Sequence, residues 1–152
     1  MDTKIDEITP SEWDLMRIVW TKGKVQTGEL ITLLQRKRDW SDSTIKTLLG
    51  RLVKKGLLAT TKDGRKFVYH ATVEEAEAMD ETVTELFAHL CAMKKGATLA
   101  DLIQKTPLTA ADISRLQGIL AEKAKTAPET VPCDCLPPDP AVSADDAADC
   151  DC

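Results

Sequence analysis

A chain of 152 residues, 43% hydrophobic and 30% charged, suits one or two small domains, and its six aromatic residues leave the cores to aliphatic side chains. No run of about 18 apolar residues is available to span a membrane, and the opening Met1-Asp2-Thr3-Lys4-Ile5-Asp6-Glu7 has no apolar signal region, so a cytoplasmic location is expected. The net charge of −5 conceals a split: residues 1–70 carry +5 and residues 71–152 carry −10, with ten Lys/Arg against three Asp in residues 36–66, so only the front of the chain suits nucleic acid.

Thr9-Pro10-Ser11-Glu12 is a helix start, with Thr9 as N-cap, Pro10 at N1 and Glu12 at N3. Trp13, Met16, Val19 and Trp20 follow at core spacing, and Gly23 ends the helix. Lys24-Val25-Gln26 reads as a single short extended bridge. Thr27 is expected to cap a second helix, with Leu30, Ile31 and Leu34 inward and Arg36-Lys37-Arg38 at its end.

Ser41 to Gly56 predicts a third helix with two unlike faces. Ile45, Leu48, Leu49, Leu52 and Val53 make one apolar stripe, while Ser43, Thr44, Lys46, Thr47 and Arg51 lie off it. Ser41 suits the N-cap and Gly56 the position after the C-cap. A face of short hydroxyls and long cations has the reach needed in a DNA major groove, although by itself it also fits a solvated surface helix.

After Gly56 the apolar period falls to two. Leu57 to Lys62 and Phe67 to Ala71 read as strands joined by Asp63-Gly64-Arg65-Lys66, a hairpin turn with two cations. Three helices followed by a basic-tipped hairpin is the order of a winged helix-turn-helix, which favours the groove reading of the third helix. Arg65 and Lys66 are expected on the adjacent phosphates or minor groove.

Val73 to about Lys94 reads as one long helix, with Ala76, Met79, Val83, Leu86, Phe87 and Leu90 at spacings of three and four. Leu99, Leu102 and Ile103 suggest a short helix before Pro107. Thr109-Ala110-Ala111-Asp112 resembles a capping box, followed by Ile113, Leu116, Ile119 and Leu120. Such helices cannot enclose a core alone. A second copy of the chain is the economical partner, with packing back on the winged domain as the alternative. From Thr126 the chain is rich in Pro, Ala and Asp and is expected to be disordered unless something binds it.

Four of the five cysteines lie in this tail, as two identical units, Cys133-Asp134-Cys135 and Cys150-Asp151-Cys152, separated by fourteen residues. In a reducing compartment such thiols favour metal binding or redox work over disulfides. Four thiolates satisfy tetrahedral Zn(II), and soft sulfurs suit Cu(I) better still. Lengthening a flexible spacer from about 4 to about 14 residues costs roughly 1.1 kcal/mol. Structural zinc supplies about 10–16 kcal/mol, so the spacer weakens a four-thiolate site without abolishing it, whether the pairs come from one subunit or two. Asp134, Asp149 and Asp151 read as a source of negative potential. Cys91, alone beside Leu90, reads as a buried small hydrophobe rather than a fifth ligand. His70 and His89 have no ligand-spaced neighbour and read as structural or surface residues.

These residues resemble the BlaI/MecI/CopY family of bacterial repressors, and within it the copper-responsive CopY branch. The resemblance covers roughly residues 5–126. It is carried by Ile8-Thr9-Pro10-Ser11-Glu12-Trp13, Val19-Trp20, Asp39-Trp40-Ser41, Thr44 to Leu49, Arg51 to Gly56, Gly64-Arg65 and Phe67-Val68-Tyr69. It implies a winged helix with a helical C-terminal dimerisation region, binding pseudo-palindromic operators as a dimer. The Asn-Phe bond cleaved in the penicillinase-repressor branch is absent, since the matching stretch is Ala100-Asp101-Leu102-Ile103. The CopY branch ends in two Cys-x-Cys units, as here, though with a usual gap of four residues. For that branch the resemblance implies a zinc-loaded repressor of copper-efflux genes that Cu(I) releases from DNA.

The expected fold is therefore mainly α, an α+β winged helix-turn-helix over residues 1–72, a helical dimerisation region over 73–126, and a disordered cysteine-containing tail over 127–152. The expected function is a copper-responsive repressor. Its DNA-binding residues are Ser43, Thr44, Lys46, Thr47, Arg51, Arg65 and Lys66, and its Cu(I) or Zn(II) ligands are Cys133, Cys135, Cys150 and Cys152. The expected partners are double-stranded operator DNA and a second copy, without a membrane. A family repressor with a non-metal trigger, or a thiolate copper buffer or metal-transfer protein, are the alternatives. No nucleophile–base pair or phosphate loop supports an enzyme.

Overall fold

Thr9 opens the first helix in the computed structural model, which describes residues 7–137. Its hydroxyl accepts the Glu12 N–H at 3.3 Å, and Pro10 stands in the first turn, where its missing N–H leaves no bond unmade. This helix, α1 (Pro10–Lys22), is followed by β1 (Lys24–Gln26), α2 (Thr27–Lys37) and α3 (Asp42–Lys54). Gln26, not Thr27, holds the N-cap position of α2, and it makes no side-chain capping bond; Thr27 is already helical because β1 runs directly into the helix. Ser41 caps α3 as its sequence predicts, accepting the Thr44 N–H at 3.2 Å.

The three helices enclose one aliphatic core. Leu15, Met16, Val19, Leu30, Leu34, Ile45, Leu49 and Leu52 are each 2% exposed or less. Burial of each such side chain is worth about 1.5–3 kcal/mol, so packing rather than helix propensity fixes α3 in place. Val53, expected in the stripe, is 39% exposed. It lies about 90° around the helix from the centre of the face set by Ile45, Leu48, Leu49 and Leu52, at the edge of what the core can cover.

Gly56 adopts a φ of 78° just past α3, turning the chain into β2 (Leu58–Asp63). β3 (Lys66–Ala71) returns antiparallel, with Asp63 opposite Lys66, so the turn is only Gly64-Arg65. Gly64 has φ 67° and Arg65 has no positive φ, the pattern of a two-residue turn with glycine first. Asp63 and Lys66, which the sequence assigns to the turn, thus belong to the ladder. β1 pairs with the other side of β3, Val25 opposite Tyr69, giving the order β1-β3-β2. Helices and sheet together are a winged helix-turn-helix.

The long helix expected from Val73 to about Lys94 is broken. α4 (Glu75–Ala88) begins in the winged core, where Ala78 is fully buried and Trp20 Nε1 donates to the Val73 carbonyl at 2.8 Å. Its end tightens, as the N–H groups of His89 and Leu90 donate three residues back to Leu86 and Phe87. Cys91 is extended, with φ −60° and ψ 122°, and a single 3-10 turn (Ala92–Lys94) leads into α5 (Lys95–Lys105). α6 (Ala110–Ala124) has the predicted capping box, with Thr109 and Asp112 bonded reciprocally at 3.1 Å.

The chain divides into two compact units after Glu85. The second buries none of the side chains of α5 or α6, whose apolar residues remain partly exposed. Residues 126–137 carry no helix or strand, and the rest of the tail expected to be disordered, including Cys150 and Cys152, lies outside the described residues. Among the described residues no helix is long and apolar enough to cross a membrane.

Candidate functional site

With its apolar stripe seated in the core, α3 turns Ser43, Thr44, Lys46, Thr47 and Arg51 outward, all exposed. Their hydroxyls first satisfy the helix itself. Ser41 Oγ lies 3.0 Å from the hydroxyls of both Ser43 and Thr44, and Thr47 Oγ1 donates to the Ser43 carbonyl at 2.9 Å. Each oxygen keeps lone pairs for a further partner. Ser43, Thr44, Thr47 and Arg51 border a surface concavity of about 220 Å³. Lys46 borders a second, of about 500 Å³, together with Gln26, Thr27 and the wing residues Arg65 and Lys66. The turn at Gly64 thus brings the wing cations beside a cation of α3.

Not every cation of the basic stretch is left without an acidic partner. α1 carries two acids that take three of them. Glu12 is 1% exposed, and its Oε1 lies 2.7 Å from Lys55 Nζ while accepting the Thr9 hydroxyl at 2.9 Å. Asp14 accepts Arg38 Nε at 2.9 Å and lies 3.6 Å from Lys37 Nζ. These pairs tie the ends of α2 and α3 to α1. On the wing, Lys62 Nζ sits 5.5 Å from the centre of the Phe67 ring, its cross-strand neighbour.

A second cluster forms in the C-terminal unit. The sulfurs of Cys91, Cys133 and Cys135 all lie within 4.8 Å of one another, and those of Cys91 and Cys133 are 3.8 Å apart. The Ala92 N–H donates to Asp134 Oδ1 at 2.8 Å, and the Cys135 N–H donates to Cys133 Sγ at 3.4 Å. The Cys91 thiol is held below its ordinary pKa by the hydrogen bond from Cys135, with the backbone N–H groups of Met93 and Lys94 also contributing. Cys135 is pushed up to about 12, first by its hydrogen bond to Cys133 and then by that to Cys91. A metal binding these sulfurs must displace the thiol protons that remain on them.

The penicillinase repressor family matches residues 8–122. The chain belongs to this family. This repressor is 61% identical over 137 residues to an uncharacterized 16.5 kDa protein in the ptsI 3′ region of Latilactobacillus sakei, spanning 90% of this chain and 94% of that one. It is 33% identical over 123 residues to the methicillin resistance regulatory protein MecI of Mammaliicoccus sciuri, spanning 81% of this chain and 100% of MecI. Among solved structures, monomeric Bacillus licheniformis BlaI in complex with the blaP half-operator is 39% identical, with a TM-score of 0.45, over 49% of this chain and 90% of that one. The protein is thus a transcriptional repressor of the BlaI/MecI/CopY type, with its DNA-binding domain in the winged helix.

In this repressor the three gathered cysteines could hold a metal ion, since thiol sulfurs at this spacing are a soft donor set. Two of them, Cys133 and Cys135, are ligands expected from the sequence. Cys91 is not, and the reading of it as a buried hydrophobe inside a continuous helix is corrected: it is half-buried, at a helix break, and its sulfur joins the cluster. The signal for it was the odd fifth cysteine itself. Asp134, read as a source of negative potential, also has a positional use, since its carboxylate fastens the first Cys-Asp-Cys unit to Ala92.

Proposed function

We propose that this protein is a copper-responsive repressor that binds a pseudo-palindromic operator as a dimer and leaves it when its C-terminal thiolates exchange Zn(II) for Cu(I). The observation that carries this reading is the convergence of Cys91, Cys133 and Cys135 within 4.8 Å, in a chain whose tail supplies two further thiols at Cys150 and Cys152. Thiolate sulfur favours Cu(I), which gives the exchange its direction. In the DNA-bound form Ser43, Thr44, Lys46, Thr47 and Arg51 face the major groove. Arg65 and Lys66 meet the flanking phosphates or minor groove. Dimerisation is supported by apolar side chains of α4, α5 and α6 that remain 44–59% exposed, among them Val83, Leu86, Leu102, Ile103, Ile119 and Leu120. The genes controlled would be those of copper homeostasis, in the cytoplasm.

The test is an operator gel shift with the zinc-loaded protein, titrated with Cu(I), beside the variant in which Cys133, Cys135, Cys150 and Cys152 are all Ser. Copper is expected to release the natural chain and not the variant. Equal release of both would remove the tail from the sensing role.

A further inference from the structure

We propose that Cys91, Cys133 and Cys135 form a complete three-thiolate site for one Cu(I) ion within a single chain, closed without the second Cys-Asp-Cys unit. The inference rests on the copper-responsive reading and adds to it a ligand, a coordination number and a place in the fold.

A metal–sulfur bond of about 2.3 Å puts the sulfurs of a planar three-coordinate ion about 4.0 Å apart. The Cys91–Cys133 separation is already 3.8 Å, and every pair in the trio lies within 4.8 Å, so small side-chain rotations complete the triangle. Two further contacts hold the donors ready. Asp134 Oδ1 accepts the Ala92 N–H at 2.8 Å, which seats the first unit against the chain just past Cys91. The Cys135 N–H donates to Cys133 Sγ at 3.4 Å, which fixes the orientation of that sulfur within the unit.

The spacer between the two units fits the same assignment. Fourteen residues, three of them proline, separate Cys135 from Cys150. A site shared by both units must close that loop, whereas one completed by Cys91 leaves the loop out altogether. Three thiolates suit Cu(I); Zn(II) takes four ligands in its structural sites, one more than the trio offers. Cu(I) is therefore the ion for which this trio is complete, whereas Zn(II) held by the same thiolates needs a fourth donor, a tail thiol or water.

The position gives the site a regulatory use. Cys91 lies three residues past the end of α4, the helix whose Ala78 is buried in the winged core. A metal bridge from Cys133 and Cys135 to Cys91 thus fixes the tail to the break that terminates that helix.

The experiment uses the full chain carrying Cys150→Ser and Cys152→Ser. Titrated with Cu(I) against a chromophoric Cu(I) chelator, it is expected to bind one ion per chain, with three sulfur neighbours by X-ray absorption. Adding Cys91→Ser or Cys91→Ala is expected to weaken Cu(I) binding more than about 100-fold and to reduce the sulfur count to two. Asp134→Ala is expected to cost about tenfold with three sulfurs retained. Operator binding by the metal-free variants serves as the check on folding. In the otherwise natural chain, Cys91→Ser is expected to raise the Cu(I) concentration needed for operator release. Unchanged affinity and a sulfur count still at three in the Cys91 variants would overturn the site, as would a Cys150/Cys152 variant that binds no Cu(I). A three-sulfur centre that forms in the natural chain while the operator stays bound upholds the site and removes the copper-responsive reading.

Discussion

Lys55 Nζ stands 2.7 Å from Glu12 Oε1 and 2.6 Å from the Glu7 carbonyl, joining the C-terminal end of α3 to the start of α1. The carboxylate is 1% exposed and the lysine side chain 26%, so this is a largely desolvated pair. Removing one partner from such a pair strands the other charge, at a cost of about 3–5 kcal/mol. Lys55→Ala is therefore expected to lower the stability of the winged unit by that order in urea unfolding, and to weaken operator binding because α3 loses one of its anchors. A loss below about 1 kcal/mol would mean that the pair behaves like a surface salt bridge and that the apolar core alone orients α3.

The cations already paired with acids of α1 make a sharp comparison possible. Lys46 and Arg65 border one concavity between α3 and the wing, whereas Arg38 is held by Asp14 at 2.9 Å. Each phosphate that the protein no longer neutralises reduces the slope of log K against log salt by about 0.9. Lys46→Ala and Arg65→Ala are expected to weaken operator binding and flatten that slope, while Arg38→Ala leaves the slope unchanged. The measurement is fluorescence anisotropy with operator DNA over a range of KCl. If Arg38→Ala flattens the slope as much as Lys46→Ala, the DNA-facing surface has been drawn on the wrong side of the domain.

What the sequence discloses here follows the range of each interaction. The caps at Thr9, Ser41 and Thr109 are legible because donor and acceptor lie three residues apart. The core stripe of α3 is legible from its period, and its one error, Val53, is a residue at the stripe's edge. Glu12 is legible as the N3 residue of the first cap and Asp14 only as a helix-surface acid, but their ion pairs are not legible, since those partners lie 43 and 24 residues away. The break after Ala88 is hidden because the apolar period runs through it to Leu90 and neither Pro nor Gly marks it before Gly96. Cys91 falls inside that unmarked break, so its place in the thiol cluster depends on a turn that local sequence does not announce.

Asp112 gives a pH dependence confined to the C-terminal unit. Its carboxyl is held below the ordinary value of 3.8 first by the backbone N–H of Thr109, then by the Thr109 side chain, with Arg115 adding a smaller attraction. A carboxyl whose folded pKa is depressed stabilises the fold fully above its unfolded pKa, and loses that contribution as pH falls through the folded value. The first turn of α6 is therefore expected to be unaffected between pH 7 and 5 and to loosen below about pH 3.8. Amide hydrogen exchange at Asp112 and Ile113 reports it. Asp112→Asn is expected to exchange faster than the natural chain at pH 6 and no differently once the carboxylate is protonated. A difference that persists under acid would assign the effect to side-chain shape rather than charge.

The proposed dimer can be tested on the face that would form it. Met79, Val83 and Leu86 recur along α4 at 53–59% exposure, and Leu102 on α5 and Leu120 on α6 are 46% and 57% exposed. Side chains of this size are ordinary on a surface one at a time, but three helices that each leave large apolar side chains exposed among the described residues support the proposed second copy as their cover. Leu102→Glu combined with Leu120→Glu places two charges where a second copy would have to be desolvated. Sedimentation is expected to shift from dimer to monomer, without loss of helical circular dichroism. Affinity for a full operator is expected to fall by about 10²–10⁴, because the second half-site is no longer reached as an intramolecular step. Affinity for an isolated half-site is expected to stay the same, since α3 and the wing are untouched. A variant that still sediments as a dimer would move the interface off these helices, and one that loses half-site binding as well would show that the charges had disturbed the winged unit itself.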